Sequence, residues 1–430
     1  MLFAKMGVPN GQLAFFTTLL YFPWFLKGLW GPFVDIFRTK RWWILSMQGL
    51  LTVLCILLTV TLPSPEAEQI AAKTTSVGVF RWSLIFFIIA AFASATHDIA
   101  ADGYYMLAHD ERSQAAFVGI RSTFYRIASV FSQGVLVYIA GYIENKTGNI
   151  PLSWQVTLGA TSVILLLVTI YHCFALPKVE KDNPLPTSPT KGGEQVWKEL
   201  GKAFGTFFTK PGVGLAIAFM LLYRLSEGFL VKLCQPFLLD HAVEELRQGE
   251  TTFSLFGMDL FSVHHTLHVG GGLALGTDIV GILYGTLGVI GLLIGGILGG
   301  IYISRRGLKR SIWLMAAALT LPSFVYCYLS MAQPESLWII GTAVSFEQFG
   351  YGFGFTAYMM YMMYFAEGEY KTAHYAICTA FMALSMMIPG FVAGFIQESV
   401  GYSAFFWIAN AFSITTFAVT YFVWKRLENQ

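Results

Sequence analysis

Charged residues are scarce in this chain of 430 residues. Asp, Glu, Lys and Arg together make up 12% of it, and the formal net charge is +2. Soluble domains carry about 25% charged residues, so this composition argues against an ordinary soluble protein. A balance so near neutrality supplies no general field that would attract a polyanion. We therefore expect no nucleic-acid partner.

The chain also lacks the short motifs of common hydrolases and pumps. It contains no His-Glu-x-x-His, no Gly-x-Ser-x-Gly and no Walker phosphate loop. Cysteine is sparse and no Cys-x-x-Cys occurs, so we interpret the thiols as small buried apolar groups. They are Cys55, Cys173, Cys234, Cys327 and Cys378. We expect neither an enzyme nor a bound cofactor.

Three histidines stand close together at His264, His265 and His268. Two of them are spaced so that they can share a metal ion. No carboxylate or cysteine completes the set nearby, so we favour a loop without a metal.

Hydrophobic residues, in contrast, are abundant. They make up 55% of the chain, and the mean hydropathy is +0.60. Stretches of about 20 apolar residues indicate helices that cross a bilayer. The sequence therefore predicts an all-α membrane protein in contact with lipid. Its eleven predicted spans lie near 11–30, 42–62, 82–107, 114–143, 154–176, 212–239, 278–303, 311–331, 336–365, 372–397 and 402–424.

Basic residues are distributed unevenly between the two sets of loops. Seventeen Lys and Arg residues fall in one set and at the C-terminus, against five in the other set. Cytoplasmic loops carry the excess of Lys and Arg in membrane proteins. This distribution predicts a cytoplasmic C-terminus and, with an odd number of spans, an N-terminus outside.

A polar segment at 177–210 divides the predicted spans into two groups. Its prolines, glycines and six lysines are typical of a flexible connection. We predict a first bundle at 1–176 and a second bundle at 211–430.

Two shorter features accompany these bundles. Val196–Phe208 has the pattern of an amphipathic surface helix. An outer insert at about 240–277 includes Phe253–Val263, where weak alternation predicts a hairpin.

One short loop pattern occurs twice. The first copy contains Gly31, Asp35 and Arg38, and the second contains Gly300, Arg305, Arg306 and Arg310. Each copy connects two consecutive hydrophobic spans, as expected of a tight basic turn at a cytoplasmic face. The pattern resembles the signature loop of the major facilitator superfamily. This resemblance implies two pseudo-symmetric helical bundles, with these residues forming a cytoplasmic gate through ion pairs and helix dipoles.

The position of the two copies also predicts a helix that is missing. Two hydrophobic spans of the second half precede its copy, whereas only one precedes the copy in the first half. We therefore expect eleven transmembrane helices out of twelve. Met1–Gly11 is interpreted as the end of the lost first helix and its outer loop.

Glycines repeat at near-helical spacing in the span 278–303. They are Gly281, Gly285, Gly288, Gly291, Gly295, Gly299 and Gly300. A nucleotide-binding glycine loop needs a preceding strand and access to water, which a membrane helix does not supply. The pattern predicts close packing of two helices instead.

Several acidic residues lie inside predicted spans, where an ionised group needs a partner or a function. Asp98 and Asp102 share one helix face, and Glu227 and Glu347 fall near the middle of their spans. We predict that these four couple transport to protons, with Asp98 as the first candidate. The alternative is that they pair with Arg121, Arg126 and Arg224 and hold helices together.

Other deep residues suit a bound anion. Arginine forks bind carboxylates and phosphates, and His97 stands beside Asp98. Tyrosines on one helical stripe offer a surface on which sugar or base rings stack. The predicted substrate-binding residues are His97, Arg121, Arg126, Arg224, Tyr351, Tyr358 and Tyr361. Two alternatives stay open: the tyrosines serve packing, and Arg224 and Glu227 neutralise each other.

Two longer motifs narrow the resemblance within the superfamily. Ser94–Tyr104, which includes His97, Asp98 and Asp102, resembles an element of AmpG-type muropeptide permeases and the related acetyl-coenzyme A transporters. Phe25–Asp35, followed by Arg41, Trp42 and Trp43, is similar to a second stretch of that family.

The resemblance implies a monomeric transporter in the bacterial inner membrane. It would import cell-wall sugar-peptide anions together with protons. Two alternatives are a transporter of another organic anion, such as a coenzyme A thioester, and a transport-inactive sensor or scaffold.

Overall fold

The computed structural model describes residues 1–108, 124–125, 127–179, 182, 192–255, 258–368 and 371–428. The predicted site residues Arg121 and Arg126 lie outside them. The helices of the first half are α1 (Leu2–Lys5), α2 (Asn10–Leu19), α3 (Phe22–Phe37), α4 (Lys40–Thr61), α5 (Ala67–Ala72), α6 (Arg81–Ala108), α7 (Leu136–Thr147) and α8 (Ile150–Ala175).

The first predicted span consists of two helices. α2 ends at Leu19 and α3 begins at Phe22, with Pro23 in its first turn, where a proline is tolerated. α3 then continues to Phe37, so the tight turn predicted from Gly31 to Asp35 is wrong. Thr39 caps α4 by accepting a hydrogen bond from the Trp42 N–H, which restarts the helix after a two-residue turn.

The second half contains helices on both sides of a β-hairpin. Its elements are α9 (Gly192–Phe208), α10 (Val213–Leu222), α11 (Leu225–Leu239), β1 (Glu245–Leu255), β2 (Met258–Val269), α12 (Thr277–Ile282), α13 (Val289–Thr320), α14 (Val325–Ala332), α15 (Leu337–Ala366), α16 (Lys371–Ala411) and α17 (Ser413–Glu428). The predicted hairpin is confirmed, with Phe253 opposite Phe261. It is longer than the sequence pattern indicated.

The second copy of the basic loop lies inside α13. Only Gly307 leaves helical geometry there, with a φ of 74°. A single glycine in the left-handed region is sufficient to redirect the chain, because it has no Cβ to clash with the backbone. The short loop predicted from Gly300 to Arg310 is therefore reduced to one non-helical residue.

The linker helix predicted at Val196–Phe208 is confirmed as α9. Its Ala203 and Phe207 are buried, whereas Lys198 is exposed. Hereafter, the linker end of the molecule is the end with α9, and the hairpin end is the end with β1 and β2.

Long apolar helices dominate the described part of the chain. Within the described residues, seven helical segments are long and apolar enough to cross a membrane. Two of them, Thr277–Ala332 and His374–Glu428, each cover two predicted spans and bend at Gly307 and Gly401. The chain is a multi-pass membrane protein, and the count of eleven spans stays a prediction.

The two halves meet mainly along three pairs of helices. α2 and α3 pack against α16, and α7 packs against α12.

The glycines of the stripe allow close packing of helices. A Cβ on Gly285 would lie 1.9 Å from the Gln133 carbonyl oxygen, and one on Gly295 would lie 2.0 Å from that of Phe349. The close helix packing predicted from the glycine stripe is confirmed.

The prediction that all five thiols are buried is wrong in part. All are free, and Cys234, Cys327 and Cys378 are buried, but Cys55 is half-buried and Cys173 is exposed. Cys173 lies on α8, whose side chains mostly point away from the bundle. A thiol is apolar enough to stand on a lipid-facing surface.

Candidate functional site

A cavity of about 1300 Å³ lies between the two halves. Residues of α2, α3 and α6 form its first wall, and residues of α11, α13, α15 and α16 form much of the second. Of the predicted site residues that the structure describes, four line it, namely His97, Asp98, Arg224 and Tyr351. Methionines and leucines cover much of the remaining surface, so the cavity combines a few charged groups with an apolar lining.

The first wall carries an ion pair. Lys27 Nζ on α3 lies 3.1 Å from Asp98 Oδ2 on α6, and both side chains line the cavity. Among the described residues, the partner of Asp98 is this lysine and not Arg224, because α3 packs directly against α6. The pairing predicted with Arg121 and Arg126 lies outside the described residues. His97 beside them has a buried Nε2 without a hydrogen-bond partner among the described residues. Asp102 is half-buried one turn further along α6 and is not part of the cavity lining.

The second wall is centred on Arg224. This residue joins α10 to α11, where its φ of −113° and ψ of 16° interrupt the helix. Its Nη2 donates to the Tyr351 hydroxyl, and its guanidinium lies 4.6 Å from the Phe355 ring centre. Within the described residues it forms no ion pair with a carboxylate, and its Nε has no partner. A buried cation held by aromatic rings is available to an incoming anion.

Two predicted carboxyl groups lie behind this wall. Glu227 is 3% exposed and Glu347 is 2% exposed, and neither lines the cavity. Glu347 accepts a hydrogen bond of 2.9 Å from Gln348 Nε2. Both oxygens of Glu227 lack a hydrogen-bond partner in the described part of the chain, so it does not form a hydrogen-bonded pair with Arg224.

Tyr358 and Tyr361 lie away from the cavity. The Tyr358 hydroxyl donates a 2.6 Å hydrogen bond to the Met220 carbonyl, and the Tyr361 ring centre is 4.4 Å from that of Phe219. The ring-stacking role predicted for them does not fit this arrangement, since both are enclosed in the core of the second half. Of the three predicted tyrosines, Tyr351 alone reaches the cavity.

The basic residues predicted to form a gate lie at the linker end. Arg38 is exposed and its guanidinium lies 5.8 Å from the Trp42 ring centre. Arg305, Arg306 and Arg310 are also exposed, and Arg306 lies 5.2 Å from the Tyr302 ring centre. Gly31 and Asp35 lie in α3 and Gly300 in α13.

At the hairpin end, polar side chains connect the two halves. Asn10 Nδ2 donates to Gln397 Oε1 and to Tyr402 Oη, each at 2.8 Å, and Tyr402 donates to Asp240 at 2.7 Å. Asp240 also forms an ion pair with Lys73. We call the set of Asn10, Gly11, Lys73, Asp240, Gln397, Glu398 and Tyr402 the hairpin-end network. These groups are largely buried and join the two halves at this end.

This network and one deep lysine are not predicted from the sequence. Lys232 lies on α11 with its Nζ 4.8 Å from the Tyr21 ring centre, so it packs against the first half. The sequence does contain a signal for Lys232, because a lysine inside the apolar span 212–239 is unusual. No local signal pairs Lys73 with Asp240, because 167 residues separate them.

One histidine of the insert, His268, has a carboxylate neighbour that the sequence did not indicate. His268 Nδ1 lies 2.8 Å from Glu244 Oε1. The side chains of His264 and His265 fall outside the described part.

The geometry of two helical halves around a central cavity agrees with a family comparison. The sequence profile of the Major Facilitator Superfamily matches residues 3–388. The chain belongs to this superfamily. A curated relative is the anhydromuropeptide permease of Escherichia coli K12, which is 23% identical over 406 residues. The match covers 93% of this chain and 70% of that permease.

Solved structures show the same fold. The nucleoside transporter NupG superimposes with a TM-score of 0.64 at 16% identity, over 97% of this chain and 91% of its own. A bacterial homologue of the human lysosomal transporter Spinster, in an inward-facing and unoccupied conformation, gives a TM-score of 0.63 at 13% identity. That match covers 98% of this chain and 90% of the homologue. The chain therefore has a transporter fold of this superfamily.

Proposed function

We propose that this transporter imports anionic muropeptides, the sugar-peptide fragments of cell walls, across the bacterial inner membrane together with protons. In this proposal the linker end and the C-terminus are cytoplasmic and the chain works as a monomer. The main support is the large cavity whose second wall presents Arg224. The name of the E. coli relative supports the substrate class.

The size of the cavity favours a large solute. Sites for drug-sized ligands have volumes of about 300–1000 Å³, and this cavity measures about 1300 Å³. A substrate larger than a single sugar therefore fits. Its anionic group would bind Arg224, and its apolar surface would lie against residues such as Trp24 and Met386.

Alternating access would bring this cavity to each side of the membrane in turn. The hairpin-end network closes one side in this conformation. Opening that network would admit the substrate from outside, and the predicted gate residues at the linker end would then close the cytoplasmic side.

Asp98 is the first candidate for proton coupling. Of the four carboxyl groups predicted for this role, it alone lines the cavity, where a proton and a substrate can influence each other. Asp102, Glu227 and Glu347 are further candidates that would act at a distance from the substrate.

The test is uptake of radiolabelled anhydromuropeptide into proteoliposomes with acid outside. We expect the pH gradient to drive accumulation, and excess acetyl-coenzyme A not to compete. Arg224→Gln should reduce uptake about 10- to 100-fold, because a hydrogen bond to a charged group contributes about 1.5–3 kcal/mol. Uptake by Arg224→Lys should lie between that of the wild type and that of Arg224→Gln, since lysine keeps the charge but lacks the guanidinium fork.

Arg81→Gln is the matched control, because Arg81 is exposed at the hairpin end, away from the cavity. Strong competition by acetyl-coenzyme A would instead support the organic-anion alternative. Absence of uptake for both compounds by well-folded protein would support the sensor or scaffold.

A further inference from the structure

We infer that Lys27 is the anion-binding group of the first wall, and that Asp98 occupies it until a proton releases it. This inference rests on the transport function proposed above. It adds a second substrate contact, on the opposite half of the molecule from Arg224. It also explains how proton binding and substrate binding would be coupled.

The first step of the argument is the nature of the ion pair. Lys27 and Asp98 are 3.1 Å apart, and their side chains are 31% and 39% exposed to the cavity. Ion pairs with this degree of exposure are weak, because water and other ions compete for both partners. An anion that enters the cavity therefore meets a lysine that can exchange its counter-ion.

The second step is the contrast between the walls. Arg224 has no carboxylate partner among the described residues, whereas Lys27 already holds one. The two cations belong to different halves, on α3 and between α10 and α11. A substrate with two hydrogen-bond-accepting groups could contact both, so its binding would depend on how the halves are arranged.

The third step is the proton. When a proton from the solvent binds to an Asp98 carboxylate oxygen, the aspartate becomes neutral and Lys27 stays charged. The lysine then lacks a counter-ion, and one negative group of the substrate replaces it. One proton and one negative charge thus enter together, and by linkage each raises the affinity for the other.

Among the described residues, few other charged groups lie near Asp98. His97 and Asp102 share α6 with it, and Arg224 faces it across the cavity. From α4, the Lys40 side chain approaches Gly103, five residues further along α6. Within the described residues, Lys27 is the cation at ion-pair distance from Asp98.

The test is the KM for radiolabelled anhydromuropeptide measured against pH in proteoliposomes. For the wild type we expect KM to fall as the pH is lowered. Asp98→Asn mimics the protonated state, so its KM should be low at every pH. It should exchange labelled for unlabelled substrate but should not accumulate it. Lys27→Gln should raise KM about tenfold or more at acid pH, and Lys27→Arg should restore it.

The double variant Lys27→Gln/Asp98→Asn separates this inference from a merely structural ion pair. It removes both charges, so it should fold as well as the wild type. If the pair only holds α3 against α6, the double variant would recover the wild-type KM and its pH dependence, which overturns the inference. We expect its KM to stay as high as that of Lys27→Gln.

Lys146→Gln is the matched control, because Lys146 is exposed and remote from the cavity. A Lys27→Gln protein with the KM and pH profile of the wild type would overturn the inference while leaving the proposed function intact. Loss of the proposed function would be seen earlier, as a wild type that does not take up the compound.

Discussion

The hairpin end and the linker end of this molecule treat their polar residues differently. At the hairpin end, Asn10, Asp240 and Tyr402 are buried and hydrogen-bonded to one another across the two halves. At the linker end, Arg305 and Arg306 are exposed to solvent. Buried polar groups carry a large penalty when their partners are removed, whereas exposed charges are screened. These buried polar contacts between the described parts of the two halves lie at the hairpin end.

The strongest way to break this comparison is Asp240→Asn. Asp240 accepts from Asn10 and Tyr402 and pairs with Lys73, and its side chain is 4% exposed. Removing one partner of a buried ion pair costs about 3–5 kcal/mol. We expect the hairpin end to open at least about 100-fold more often.

The measurement is the rate at which an impermeant maleimide, added from the hairpin side, labels Thr17→Cys. Thr17 lines the cavity. The background carries Cys173→Ser, because that thiol is exposed. Glu68→Gln, an exposed acid at the same end, is the control. Equal labelling in the two variants would mean that the network does not hold the halves together.

A smaller effect is expected from Tyr402→Phe. This change removes the hydroxyl that donates to Asp240 and accepts from Asn10, while the ring keeps its packing against Phe237. The lost bond to the Asp240 carboxylate is a hydrogen bond to a charged group, which contributes about 1.5–3 kcal/mol, so labelling of Thr17→Cys should rise about 10- to 100-fold. The exposed Tyr328→Phe serves as the control. A rise as large as that of Asp240→Asn would mean that the hydroxyl, and not the ion pair, closes this end.

The smallest effect is expected at the linker end. Arg306→Gln removes a cation that is exposed and lies over the Tyr302 ring. Such contacts contribute about 0.5–1 kcal/mol. Labelling of Thr17→Cys should therefore change less than about fivefold. A decrease by a larger factor would show that this arginine stabilises the opposite conformation, as the predicted gate requires.

Much of the fold was predictable because its signals are local. The glycine spacing from Gly281 to Gly299 is a property of one predicted span. It predicted the close approach to neighbouring helices that Gly285 and Gly295 make. Asp98 was predicted as a site residue because an acid within an apolar span is conspicuous. The tyrosine stripe was less informative, since helical periodicity places Tyr351, Tyr358 and Tyr361 near one face but not at one depth.

The sequence by itself determined that this chain is a membrane protein of two related halves, with a small number of charged residues inside its hydrophobic spans. Composition, the length of the hydrophobic stretches and the repeated basic pattern are properties of the sequence or of short segments of it. They can therefore be recognised without knowledge of the fold. Only the tertiary structure decided that Asp98 pairs with Lys27 and that Asp240 pairs with Lys73, over separations of 71 and 167 residues. Such pairs depend on which helices pack together and at what register, and no local pattern encodes that.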